Sequence, residues 1–322
     1  MKGYFGHNVT CIYLDQFAAS NILDEAGSVI WEEISEVLLD KAGKGMVICP
    51  VPSEHFLESA KKNKEKALLL DQKFHEIGRG LAFLPEPFAT ANCIMSIVRN
   101  SPVSAKTFSD QLRFKGTLSE EGAFNRFQND HRLMSALISE ATTSTNELRD
   151  ALSKKRFPKA VKEPVFQASK LLQINHFRER LDELIEKGRI ISRGVAFSTG
   201  EIIDWPDLLL QILLGQHRMT SSEGIYLRKV IDQTGFDRIA PLDIRVTLTA
   251  HIAAEHKKET VNDQVDIMRL ATALPAADLL FTDKQRKHEL QETGLAVKYN
   301  TEVFSGTEAD LKAFLSRISV MS

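Results

Sequence analysis

Apolar positions follow two different periods along this chain. Short β-type runs occupy both ends, and helical periodicity fills the middle. The first run covers residues 9–15 (Val-Thr-Cys-Ile-Tyr-Leu-Asp) and ends in an acid, Asp15. A segment of helical or turn character follows over 16–23. Residues 28–41 are amphipathic, with Val29, Ile30, Ile34, Val37 and Leu38 on one helical face, and Gly43 and Gly45 stop that helix. A second buried strand is predicted over 46–50. Pro52-Ser53 then opens a helix that carries Glu54, His55 and Glu58 within one turn of each other. Further on come a helix from residue 64, Gly78-Arg79-Gly80, and a third strand over 81–84 closed by Pro85 and Pro87.

From about residue 86 to about 240 there is little alternation of period two. Helical segments are predicted over 88–98, 118–144, 148–162 and 165–187, and the run 205–214 reads as a buried helix too short to cross a membrane. Residues 241–255 read as a helix with Pro241 in its first turn. The next helix takes Asn262 as its N-cap, buries Met268, Leu270, Ala271 and Leu274, and is closed by Pro275. Residues 278–282 form a short buried strand with Asp283 at its end. A basic helix over 284–290, a last strand over 295–299 and a last helix over 307–318 complete the chain. The β/α alternation at both ends predicts one α/β domain built from residues 1–85 and 241–322. It would be a three-layer α/β/α arrangement on a mostly parallel sheet of about five strands. Residues 86–240 are then an all-α insertion.

Composition narrows the function classes. The 322 residues are 43% hydrophobic and 26% charged, ordinary values for a globular protein. Lysine and arginine total 41 against 43 acids, which disfavours a passive polycationic coat on DNA. No apolar run is long enough for a membrane span, and Met1-Lys2-Gly3-Tyr4 leads into no signal-type hydrophobic stretch, so a cytoplasmic protein without a membrane partner is expected. Cys11, Cys49 and Cys93 are odd in number, lack metal-type spacing and read as reduced core residues.

The candidate chemistry lies in four acids at strand ends or first helical turns: Asp15, Glu58, Asp266 and Asp283. Carboxylates gathered in one place repel each other unless a cation neutralises them, and hard oxygen ligands suit Mg²⁺ or Mn²⁺. Such ions activate water and stabilise a phosphodiester leaving group, which points to nucleic-acid hydrolysis. Each acid also has a structural reading, as a helix cap or dipole partner. Asp263 is a further metal candidate or a member of a capping box, and Asp278 is either a fifth acid or the partner of a neighbouring amide. Arg269, Lys284 and Arg286 could attract phosphates, though a solvated basic helix is the safer reading for them. The run Lys154-Lys155-Arg156, with Lys159 and Lys162, is a candidate nucleic-acid surface with acids around it. His55 reads as a structural histidine.

These motifs, in this order, resemble the PIN-domain (PIN-like) nucleases. The resemblance rests on Tyr13-Leu14-Asp15-Gln16, on residues 49–58 from Cys49-Pro50 to Glu58, on 262–278 with Asp263 and Asp266, and on Phe281-Thr282-Asp283-Lys284. It covers roughly residues 8–85 and 241–320. It implies a metal-dependent endoribonuclease, RNA being preferred to DNA by the habit of the family, with Asp15, Glu58, Asp266 and Asp283 on the metal and Thr282 holding the site by hydrogen bonds. A homodimer or an inhibitory protein partner would also fit. Two features depart from the pattern: the long stretch between Glu58 and Asp266, and Gln16 where many members carry Ser or Thr. The alternative is a PIN-like scaffold that binds RNA or a protein through its helical insertion. A phosphatase-like hydrolase using Asp15 as nucleophile is weaker, because Phe17 stands where that chemistry wants a second acid.

Overall fold

A computed structural model describes residues 9–23, 28–52, 55, 59, 63–101, 107–110, 123–153 and 159–321. The elements in chain order are β1 (Thr10–Leu14), α1 (Gln16–Leu23), α2 (Val29–Gly43), β2 (Val47–Ile48), α3 (Lys64–Ile77), β3 (Leu81–Phe83), α4 (Glu86–Val98) and β4 (Phe108–Asp110). They continue with α5 (Ala123–Ser153), α6 (Lys159–Lys187), β5 (Gly194–Phe197), β6 (Gly200–Ile203), α7 (Trp205–Gly215), α8 (Ser221–Thr234), α9 (Ala240–Ala254) and α10 (Val261–Ala273). Last come β7 (Leu279–Phe281), α11 (Lys284–Glu292), α12 (Leu295–Lys298), β8 (Glu302–Phe304) and α13 (Glu308–Ser319).

The chain is mixed α/β, with a four-stranded parallel sheet in the order β2-β1-β7-β8. Ile12, Tyr13 and Leu14 lie beside Leu279, Leu280 and Phe281, which in turn lie beside Glu302, Val303 and Phe304. A parallel bridge between Val51 and Ala82 attaches β3 to the chain leaving β2, and β4 pairs antiparallel with β3. Side chains alternate across the sheet with period two. Ile12, Leu14, Leu279 and Phe281 therefore point into one cluster, where they meet Ile34 and Leu38 of α2, Phe74 of α3 and Phe314 and Ile318 of α13. Phe281 lies 5.5 Å from Trp31 and 5.1 Å edge-on from Phe314. Fully burying a ring of that kind stabilises by roughly 1.5–3 kcal/mol. The three cysteines are buried and unlinked, and burial pushes the Cys49 and Cys93 thiols up, the latter to about 11.

Internal contacts divide the chain into two compact units. The α/β unit comprises Met1–Leu84, Ser104–His131 and Thr272–Ser322; the helical unit comprises Pro85–Val103 and Arg132–Ala271. The second expected boundary, at residue 240, is displaced to 271. Residues 241–271 go with the helices because α9 packs on α4 and α6, with Leu242 and Val246 in a core shared with Phe177, Leu181 and Leu210. Nor is the helical unit all-α. β5 and β6 form an antiparallel hairpin, turned at Ser198-Thr199, and the Glu140 carboxylate on α5 accepts from the Ser198 amide at 2.9 Å and its hydroxyl at 2.6 Å. Those bonds hold the Glu140 carboxyl below its ordinary value.

Two local expectations are also corrected. The strand expected over 295–299 is the helical turn α12, closed by Lys298 N–H to the Gly294 carbonyl at 2.9 Å and Tyr299 N–H to the Leu295 carbonyl at 3.0 Å. The last strand is β8. The cap of α10 is Thr260, not Asn262: the Thr260 hydroxyl accepts from the Asp263 amide at 3.2 Å, and the Asp263 carboxylate accepts from the Thr260 amide at 2.7 Å. That reciprocal pair is a capping box. Among the described residues no helix is long and apolar enough to cross a membrane.

Candidate active site at the carboxyl ends of β1 and β7

The strand order reverses at β1. From it the chain passes to β2 on one side and, much later, to β7 on the other. In open parallel sheets the crevice outside the carboxyl ends at such a reversal is where ligands bind. Asp15 ends β1 and Asp283 follows β7 by two residues, so both stand at that crevice.

Asp15 continues the ladder, its amide donating to the Phe281 carbonyl at 2.9 Å. Its side chain is 8% exposed. Oδ1 accepts from the Gln16 amide at 2.6 Å, and Oδ2 accepts from the Thr282 hydroxyl at 3.2 Å. Thr282 is itself buried, and its amide donates to the Phe304 carbonyl at 3.0 Å. Asp283 is half-buried and caps α11, with Oδ1 accepting from the amides of Gln285 at 2.7 Å and Arg286 at 3.0 Å. The structure thus brings Asp15, Thr282 and Asp283 together on adjacent strands.

Of the other candidates, Lys284 and Arg286 follow Asp283 on α11. Glu58 lies outside the described residues, as do Glu54, Lys154, Lys155 and Arg156. Asp263 and Asp266 occupy the first turns of α10 in the helical unit, where Asp263 serves the capping box and Asp266 is half-buried. Asp278 is at the other end of β7: its Oδ2 accepts from the Cys11 amide at 2.9 Å, the neighbouring-amide role. Arg269 is only 3% exposed, and Arg286 is buried with its guanidinium against the Glu289 carboxylate. Neither presents a free cation to solvent, which leaves Lys284 as the exposed one of the three. Lys162 is engaged with Glu255 at 2.6 Å.

His55 has the structural role read from the sequence, but sequence reasoning missed its link to Gln16 beside Asp15. Gln16 Oε1 lies 2.9 Å from His55 Nδ1, and Gln16 Nε2 donates to the Ser59 hydroxyl at 3.2 Å. His55 is wholly buried, packs edge-on against Phe74 at 4.2 Å and stands 4.0 Å from Asp71 Oδ1. The residue that departs from the PIN pattern is thereby the one that ties the end of β1 to His55 and Ser59.

Two carboxylates and a hydroxyl form an all-oxygen donor set, the type Mg²⁺ or Mn²⁺ takes, and a carboxylate offers about four acceptor sites, of which Asp283 uses two. Among the described residues, however, no group of three or more His, Cys, Asp or Glu side chains is placed to hold an ion. No family model, curated protein or solved structure matches the chain.

Proposed function

We propose that this chain is a metal-dependent nuclease of PIN-like, three-layer build, with RNA as the favoured substrate and Asp15 and Asp283 as its central acids. One observation carries the reading: Asp15 and Asp283 stand at the carboxyl ends of the two strands between which the strand order reverses, and Thr282, the residue before Asp283, donates to Asp15. Asp15 and Asp283 would hold the ion, and Thr282 would fix the Asp15 carboxylate. A bound Mg²⁺ or Mn²⁺ would supply an activated water and neutralise charge on a phosphodiester. The protein residues orient the donors and shield Asp15, which is almost fully buried.

The test is cleavage of end-labelled single-stranded RNA and DNA by the full chain with Mn²⁺. RNA should be cut, and Asp15→Asn should abolish the cut without unfolding the protein. Asp266→Asn asks whether the acid on α10 serves the same activity. Absence of cleavage on both nucleic acids, or full activity in Asp15→Asn, overturns the proposal.

A second reading has its own support. Both Asp15 oxygens and one Asp283 oxygen already hold protein donors, as expected of a site retained for structure, with the helical unit binding RNA or a protein partner. Metal separates the two. A working site binds Mn²⁺ in the folded state and raises the melting temperature; a structural one does not.

A further inference from the structure

The helical unit contains a cavity of about 560 Å³, within the range of small-molecule sites. Its walls are chiefly aliphatic: Ile202 and Ile203 of β6, Leu208 and Leu209 of α7, and Met268 of α10. Three charged side chains also line it, Glu86, Asp204 and Arg245. Glu86 is 2% exposed and accepts from Arg245 Nη1 at 2.7 Å and from the Thr90 hydroxyl at 3.1 Å. Asp204 is held by His176 at 2.6 Å. The Arg245 guanidinium lies over the Trp205 ring, 5.1 Å from its centroid.

These groups set the polarity of a guest. A guanidinium has five N–H donors, and among the described residues the Nε and Nη2 groups of Arg245 carry no hydrogen bond. An acceptor oxygen can take them. A carboxylate would bring a third negative charge beside Glu86 and Asp204, opposite one guanidinium already paired. An ammonium would meet Arg245 and find both carboxylates occupied. A neutral head carrying an acceptor oxygen buries no charge and satisfies the spare donors. The aliphatic walls suit a flexible alkyl chain. We infer that this cavity binds a neutral amphipath, an alkyl chain ending in an amide, ester or alcohol oxygen that accepts from Arg245. The inference does not depend on the nuclease reading.

Calorimetric titration of the full chain with decanamide, decanoate and decylammonium, each below its micelle-forming concentration, tests it. Decanamide should bind saturably at one site per chain and at least tenfold more tightly than either ion. Octanamide, two methylenes shorter, should bind about fifteenfold more weakly than decanamide, each methylene contributing roughly a fourfold factor. Ala141→Phe and Leu208→Glu, at lining positions that are not deeply buried, should each weaken decanamide at least tenfold with the melting temperature unchanged. Failure of decanamide to saturate, equal or tighter binding of an ion, or undiminished binding by both folded variants overturns the inference. The ligand series on the unaltered chain decides the matter even where a variant fails to fold.

Discussion

Thr282 donates its hydroxyl to Oδ2 of Asp15 at 3.2 Å, joining the ends of two strands that lie 267 residues apart in sequence. Both side chains are buried, so water cannot replace the bond cheaply. A hydrogen bond to a charged group contributes about 1.5–3 kcal/mol. Thr282→Val should therefore lower the urea unfolding free energy by about that much, while Thr282→Ser keeps most of it. A valine variant that unfolds at the original urea concentration would show the bond to be idle.

Asp283 has a structural duty, capping α11, as well as its proposed one. Asparagine caps as well as aspartate, whereas removing a cap costs about 1 kcal/mol. Without metal, Asp283→Asn should melt where the unaltered chain melts and Asp283→Ala should melt lower. With Mn²⁺, both should lose the added stabilisation. A rise in melting temperature with Mn²⁺ that survives in Asp283→Asn would remove Asp283 from the metal site.

The parts of this fold legible in sequence are those whose pattern is local. β1 and β7 are apolar runs closed by acids, and each lies where its run predicts. Asp263 also had a local signal: Thr260 and Asp263 have capping-box spacing, and the box forms. Residues 295–299 misled because Leu-Ala-Val-Lys-Tyr suits a strand by composition, while Gly294 at φ 70° opens a helical turn there. The β5–β6 hairpin was hidden by the helices around it, and Val195 on its face is well exposed, so no buried alternation marked it. The boundary at 271 depends on what α9 packs against, and its own sequence does not carry that information. At the site, Asp15, Thr282 and Asp283 were readable from motif order. The link from Gln16 to His55 and Ser59 joins residues about forty positions apart and has no sequence pattern.

In the helical unit, Arg180 and Asp207 form a buried pair, Nε–Oδ1 2.6 Å and Nη2–Oδ2 2.9 Å, at 1% and 0% side-chain exposure. Its hydrogen bonds to the Asp207 carboxylate hold the Arg180 guanidinium above its ordinary value. Asp207 also accepts from the Arg193 amide, and Arg180 donates to the Ile191 carbonyl at 2.7 Å, so the pair fixes the chain between α6 and β5. Removing one partner leaves a buried charge, typically costing about 3–5 kcal/mol, while replacing both by apolar residues costs far less. Asp207→Leu should therefore be strongly destabilising in urea, and adding Arg180→Met should recover part of the loss. A double variant no more stable than Asp207→Leu would show that the backbone bonds, rather than the charge, dominate.

Glu223 gives the helical unit a pH dependence whose sign follows from two contacts, that with Arg99 first. The Arg99 guanidinium donates to it at 2.7 Å, and the Thr220 amide of the α8 capping box does so as well, also at 2.7 Å. Together they hold its carboxyl down at about 2. In the unfolded chain a glutamate titrates near 4.3. Because the folded value is the lower one, the stabilisation is complete at neutral pH and is lost as pH falls from about 5 towards about 2. Glu223→Gln keeps the side-chain reach of the capping box but loses the charge. It should unfold at lower urea than the unaltered chain at pH 7, and the gap should close through that acid window. Since Arg99 is 43% exposed, salt near 1 M should narrow the gap at pH 7 as well. A gap that stays constant down to the acid limit would mean that shape, not charge, is what Glu223 contributes.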